Sequence, residues 1–203
     1  MSTDRAFGEQ YQLTPVDRFG VWLSARRILA ESGGLRGKRV ADFGCGFDAT
    51  FVRTILGEVA SVTLVDVALA DDLHAEAKVR AVEGTLPDAL APLADADFDV
   101  VMCMSVLEHL EAPQRTLDEF HRVLAPGGVL LLNVPTWWGK RMLELSAFRL
   151  GLSPAESIDD HKTYYDPRDL WPMLVAAGFR PSNIRCFRHK FGLNTFAVCR
   201  KST

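Results

Sequence analysis

Short apolar runs alternate with amphipathic segments from residue 38 almost to the end of the chain. "KRVADFG" (38–44) reads as a strand running into a glycine turn, and "DATFVRTILG" (48–57) as the helix that follows. "SVTLVD" is a β-branched strand ending in Asp66, and "ADDLHAEAKVRAV" passes from a polar helix into a third strand. "DFDVVMCMS" is a fourth strand, apolar enough to be covered on both faces. "APQRTLDEFHRVLAPGG" predicts an amphipathic helix closed by Pro126 and a glycine pair, and "VLLLNVP" a fifth strand. "DPRDLWPMLVAAGF" is a later helix stopped by Gly178, and the tail from Ile184 to Lys201 reads as two strands joined by a turn with Gly192 and Asn194. Ahead of all this, residues 14–34 form a leading helix, with Thr14 as N-cap, Pro15 at the first helical position and Gly33–Gly34 as the stop. Five alternations and a closing hairpin predict a parallel sheet with helices on both faces.

Composition changes this picture little. The 203 residues suit one domain with a sizeable core, and a net charge of −3 gives no general pull toward nucleic acid or anionic membrane. The opening residues lack the basic-then-apolar order of a signal peptide, and no apolar run nears the roughly 20 residues that span a bilayer. Cys45, Cys103, Cys186 and Cys199 are far apart with no C-x-x-C pair, so they read as reduced residues of a cytoplasmic protein without a zinc site.

In such sheets ligands bind beyond the carboxyl ends of the strands. Asp42, Asp66 and the segment after Met104 fall there. Gly44, Gly46 and Ala49 satisfy the G-x-G-x-x-G/A dinucleotide pattern, and Asp66, 20 positions beyond Gly46, is placed to accept both hydroxyls of a ribose. Asp42 argues for a different ligand, because a carboxylate at the turn repels a pyrophosphate. S-adenosylmethionine brings an ammonium and a sulfonium instead, which that carboxylate favours. The glycines would let the backbone approach the methionine part closely.

With these residues in place, the chain resembles the class I S-adenosylmethionine-dependent methyltransferases, through "VADFGCGFDATF", "VTLVDVA", "FDVVMCMSVLEHLEAP", "RVLAPGGVLLLNVP" and "YYDPRDLWPMLVAAGF". It is most similar in look to the small-molecule enzymes of the ubiquinone and menaquinone biosynthesis type. The resemblance implies a Rossmann-like, seven-stranded, mostly parallel α/β sheet of order 3-2-1-4-5-7-6 with an antiparallel last strand. It implies a single methyltransferase domain over 1–203, with a helical cap at 1–35 and a lid-like insertion at 137–165. S-adenosyl-L-methionine is the implied cofactor. Asp42, Gly44, Cys45 and Gly46 would meet its methionine end, Asp66 the ribose and Val67 the adenine, while Met104 and Ser105 line the channel to the methyl group. The third glycine of the family pattern is replaced by Asp48, which could cap the next helix, and Thr85 or Glu83 would meet the adenine amine.

His109, just past strand four, is the candidate base that takes a proton from the acceptor, against a structural role for the "EH" pair. The related E-x-x-E-H metal motif has Ser105 where its first glutamate belongs, so no metal is expected unless Asp160 or His161 supplies further ligands. Trp138, Met142, Leu145, Phe148 and Leu152 form an apolar helical stripe, either ordinary packing or an acceptor-pocket wall, with a membrane-touching helix as a third reading. His161, Tyr164 and Trp138 are the candidate contacts to a small-molecule acceptor. A basic tail at 180–203, free of acids, suits an anionic acceptor or an edge strand, without favouring nucleic acid. Two other classes compete: an NAD-dependent oxidoreductase, and a non-catalytic methyltransferase fold serving as a partner subunit.

Overall fold

Side chains alternate across each strand, and the two faces of one sheet bury separate cores. The computed structural model describes residues 6–9, 15–142 and 162–203, with the side chains at 16 and 17 left aside. Its elements are α1 (Pro15–Glu31), β1 (Arg39–Phe43), α2 (Thr50–Ile55), β2 (Ser61–Asp66), α3 (Asp71–His74), β3 (Val79–Glu83) and β4 (Phe98–Met104), then α4 (Pro113–Val123), β5 (Leu124–Pro135), α5 (Pro167–Ala176), β6 (Ile184–His189) and β7 (Asn194–Arg200). The seven strands are ordered β3-β2-β1-β4-β5-β7-β6, with β1 to β5 parallel and β7 antiparallel to both its neighbours. On one face Ala41, Phe43, Val101 and Leu132 pack with Leu117 and Phe120 of α4 and Leu170 and Leu174 of α5. On the other, Val40, Val100, Met102 and Leu131 pack with Ile28 of α1, Val52 of α2 and Leu73 of α3. By this alternation Asp42 belongs to the α1 face.

The expected helix stop after strand four is corrected. α4 ends at Val123, and Pro126, Gly127 and Gly128 lie inside β5. Lys201 ends the helix instead: its Nζ donates to the carbonyls of His121 at 2.7 Å and Leu124 at 2.8 Å, supplying donors to groups that the last turn leaves open. Backbone bonds from Gly127 N to Lys201 O and from Lys201 N to Gly128 O, both 3.0 Å, hold the glycine pair in the sheet. Asp48 does not cap α2; the N-cap is Ala49, in the left-handed region with φ 43°. Thr14 lies outside the described residues.

One residue of the basic tail, Arg185, meets an acid from the start of the chain, Glu31. Arg185 pairs with Glu31 at 3.2 Å, and Arg200 donates to the Glu31 carbonyl at 3.4 Å, fastening the end of α1 to the β6–β7 edge.

Gly44 and Gly46 have φ +77° each. A side chain at Gly44 would overlap Cγ2 of Val106, and one at Gly46 would stand 3.0 Å from the Phe7 carbonyl oxygen. The glycines therefore clear this chain's own loop and N-terminal segment. This role stands beside the expected close approach of the backbone to a ligand. Gly44→Ala should destabilise the protein by about 1–3 kcal/mol from overlap and left-handed strain together. Val106→Ala in the same chain should recover part of that loss, because it removes the overlap and leaves the strain. Urea denaturation measures both; a double variant no more stable than Gly44→Ala would refute the packing account.

Candidate active site

One cleft of about 1440 Å³ opens at the carboxyl ends of β1, β2 and β4 and runs under α1. It gathers Asp42, Gly44, Cys45, Gly46, Asp66, Val67, Thr85, Met104, Ser105 and His109, the residues expected from the sequence on these strand ends. A single ligand pocket is usually about 300–1,000 Å³, so this cleft has room for two molecules.

Asp66 organises its first wall. Its carboxylate accepts the Gly46 N–H and the Val67 N–H, each at 2.8 Å, so it closes the glycine turn onto β2. Gly44 N donates to Val65 O at 2.7 Å and completes the junction. Burial raises the Asp66 pKa, and the two N–H donors act against that rise. Each carboxylate oxygen still has a lone pair for a ligand hydroxyl.

Asp42 is different. It is 6% exposed and its carboxylate has no hydrogen-bond partner among the described residues. Burial, and secondarily the charge of Asp66, pushes its pKa up to about 7. A buried carboxylate without a donor is costly, and a cation in the cleft relieves that cost. Cys45 is raised for the same reasons, burial first and the two aspartates after it, so its thiol stays protonated.

The N-terminal segment forms a roof. Phe47 N donates to Phe7 O at 2.9 Å, and Phe7, Gly8 and Glu9 line the cleft. Beyond β3, Gly84 to Asp88 complete the wall beside Thr85. Glu83 is engaged elsewhere, accepting Leu69 N at 3.0 Å and standing 3.5 Å from His74, which leaves Thr85 as the adenine-side candidate of the two.

A family model described as a methyltransferase domain matches residues 17–182. The chain belongs to the class I S-adenosylmethionine-dependent methyltransferases. A ubiquinone biosynthesis O-methyltransferase of Psychrobacter arcticus is 31% identical over 181 residues, covering 80% of this chain and 67% of that protein. In fold, the chain is similar to a SAM-dependent methyltransferase from Archaeoglobus fulgidus (TM-score 0.65, 17% identity, 91% and 94% coverage). It is likewise similar to a didemethyltoxoflavin N1-methyltransferase of Burkholderia thailandensis (TM-score 0.64, 20% identity, 93% and 84% coverage). The oxidoreductase reading gives way to this assignment, in keeping with a buried and a half-buried carboxylate lining the cleft beside the glycine turn.

The residues of this methyltransferase fit S-adenosylmethionine. Unpartnered Asp42 suits the cationic end, and Asp66, held by backbone N–H groups, suits a ribose diol. Not every expected contact joins them. Trp138 lines a separate depression with Trp137, Lys140, Arg141, Asp166, Arg168 and Arg188. Tyr164 is buried, its ring 5.4 Å from that of Trp137. Neither lines the cleft, so the structure does not bring these two expected acceptor contacts together with the strand-end residues. His161, Asp160 and most of the 137–165 insertion lie outside the described residues. Among those described, no cluster of three His, Cys, Asp or Glu could hold a metal ion. The sequence reading placed Lys190 only as one of the basic residues of the tail; it lines the cleft from the β6–β7 turn.

The raised Asp42 pKa sets a pH dependence. Below about pH 7 the free protein holds this proton, and a cationic ligand needs the carboxylate, so binding must release it. Affinity for S-adenosylhomocysteine should rise with pH, by up to about tenfold per unit, and level off above pH 7. Calorimetry at pH 6 in buffers of different ionisation enthalpy should detect the released proton, and Asp42→Asn should abolish the release. Asp66→Ala removes a charged acceptor and opens the turn, so it should weaken the same ligand by about ten- to a hundredfold. Unchanged affinity in Asp66→Ala would place the ribose elsewhere.

Proposed function

We propose that this enzyme methylates a small molecule, with an oxygen nucleophile, in a reducing compartment such as the cytoplasm. The supporting observation is the cleft itself, with space beyond one ligand and a lining of unlike groups. Asp42 and Asp66 line it together with His109, Lys162 and Lys190. S-adenosylmethionine supplies a methyl group on a positively charged sulfur. The Psychrobacter relative, named an O-methyltransferase of ubiquinone biosynthesis, supports an oxygen acceptor. Arg185 is paired with Glu31, and Arg200 and Lys201 are turned to backbone carbonyls of this chain, which takes these three from a basic stripe at 185–201. The free cysteines fit a reducing compartment, and no described helix is long and apolar enough to cross a membrane.

The chain's residues then divide the work. Met104 and Ser105, at the end of β4, border the path between donor and acceptor. Ser105 is held in the left-handed region (φ 60°) by its N–H bond to Asn133 O at 2.7 Å, while its hydroxyl accepts from the Asn133 side chain at 3.2 Å. His109 follows on a short 3-10 turn, Leu107–His109. Burial first, then nearby positive charge including Lys162, lowers its pKa to about 4, so its imidazole is neutral at pH 7. A neutral imidazole accepts a hydrogen bond from the acceptor hydroxyl and orients its lone pair. So low a pKa makes it a weak final proton acceptor. Much of the rate then comes from alignment and exclusion of water.

His109→Ala should lower kcat by about a hundredfold, with S-adenosylhomocysteine affinity unchanged. The assay is radiolabelled methyl transfer to a panel of phenols, amines and carbon acids, which also names the acceptor atom. Cofactor binding without turnover on any acceptor would favour the partner-subunit reading.

A further inference from the structure

Five cationic or imidazole side chains line the cleft, and their environments differ. Arg115 lies 3.5 Å from Asp88, and Lys162 lies 3.0 Å from Glu111, so both charges are compensated at the rim. Arg18 is exposed, and His109 is neutral. Lys190 points inward, and its ammonium makes no hydrogen bond or ion pair among the described residues. Where a Cβ added at Gly20 of α1 would stand, it would be 3.8 Å from Nζ of Lys190, which places the ammonium by the second turn of α1.

The backbone is bent to hold it there. Lys190, Phe191 and Gly192 are consecutive left-handed residues, with φ 48°, 58° and 84°. Asparagine and glycine suit such positions; lysine and phenylalanine are strained in them. The turn throws Phe191 outward, 84% exposed, and Lys190 inward. Strain of this kind persists where the surroundings fix it and gathers at ligand sites. Behind the lysine is Glu108, 1% exposed, whose Oε2 has no hydrogen-bond partner. Its charge is the one that supports the ammonium, against burial, which lowers the Lys190 pKa to about 8. Burial likewise lifts Glu108 to about 8, so this carboxyl gives the ammonium only part of a counter-charge.

We propose that Lys190 recognises the methyl acceptor, pairing its ammonium with an anionic oxygen that is either an acidic hydroxyl to be methylated or a carboxylate beside it. This rests on the methyl-transfer reading of the same cleft. In the first case the hydroxyl proton leaves to solvent, and Lys190 keeps its own proton. The oxygen's electron pair forms the bond to the methyl carbon as the carbon–sulfur bond breaks, and that bond's electron pair returns to sulfur as a neutral thioether. An acceptor carrying such an anion is drawn to the part of the cleft under α1 where the ammonium lies.

The test uses protein saturated with S-adenosylhomocysteine and three probes: 4-hydroxybenzoate for the carboxylate, 4-nitrophenol for the acidic hydroxyl, and neutral 4-hydroxybenzamide. Calorimetry should show at least one anionic probe binding about ten- to a hundredfold tighter than the neutral one. Visible absorbance should show bound nitrophenol more ionised than free nitrophenol if the hydroxyl is what pairs. Lys190→Met should erase the preference, and Lys190→Arg should keep most of it, while both bind S-adenosylhomocysteine as the wild type does. Equal preference in Lys190→Met, or none in the wild type, weak binding of every probe included, overturns the proposal. Loss of S-adenosylhomocysteine binding by the wild type would instead overturn the methyltransferase site. Should Lys190→Met fail to fold, Lys190→Gln is read in the same way.

Discussion

Two carboxylates at the ends of adjacent strands, Asp42 buried and Asp66 half-buried, are the constraint around which this molecule is arranged. Burial raises the pKa of both, and the charge of Asp66 raises that of Asp42 further. The fold settles one of them by itself, since the Gly46 and Val67 N–H groups hold Asp66. It leaves Asp42 without a donor among the described residues. The fold thus keeps an unpaid electrostatic cost at one point, and a cation is the remedy. The same arrangement explains why the glycine pattern alone misleads: the turn geometry suits a pyrophosphate, and the charge does not.

The glycines serve the chain before they serve the ligand. Gly44 admits Val106, which brings the loop after β4 against the turn, and Gly46 admits the Phe7 carbonyl, which roofs it. Three segments far apart in sequence therefore meet at "GCG", and the donor end of the cleft is built by their mutual fit. A side chain at either position would disturb the wall or the roof before it touched a ligand. Loss of cofactor binding in a Gly46 variant would follow from displacing Phe7 as readily as from filling the cleft.

Much of this was legible in the sequence, for physical reasons that can be named. Period and turn chemistry marked β1, β2, β4 and the closing hairpin, and carboxylates at strand ends pointed to the ligand. The α4–β5 boundary was misjudged because "APGG" normally breaks structure. Lys201, more than seventy residues further on, caps the helix and pairs with the glycines, and no local pattern reveals that. Asp48 looked like a cap, but left-handed Ala49 takes the position. Trp138 and Tyr164 have the right chemistry for an acceptor pocket, yet the path of the chain after β5 carries them away from the cleft. Lys190 was hidden among the basic residues of the tail, since only the left-handed turn separates an inward lysine from its exposed neighbours.

The charge arrangement also bears on the reaction. A sulfonium and an ionised oxygen are both charged before methyl transfer, and both products are neutral, so charge disperses toward the transition state. Water or strong ion pairs around the reacting atoms would stabilise the reactants most and slow the step. Two groups of this cleft are held weakly: Asp42 is poised near pH 7 and Lys190 near pH 8, each by burial. On the proposed reading they are charged enough to meet a cationic donor and an anionic acceptor, and too desolvated to hold that charge firmly. Met104, an apolar thioether, and Ser105, whose hydroxyl already accepts a bond from Asn133, line the same cleft. Where the methyl group moves past them, as proposed, it passes groups less polar than the carboxylate and the ammonium that would hold its donor and its acceptor.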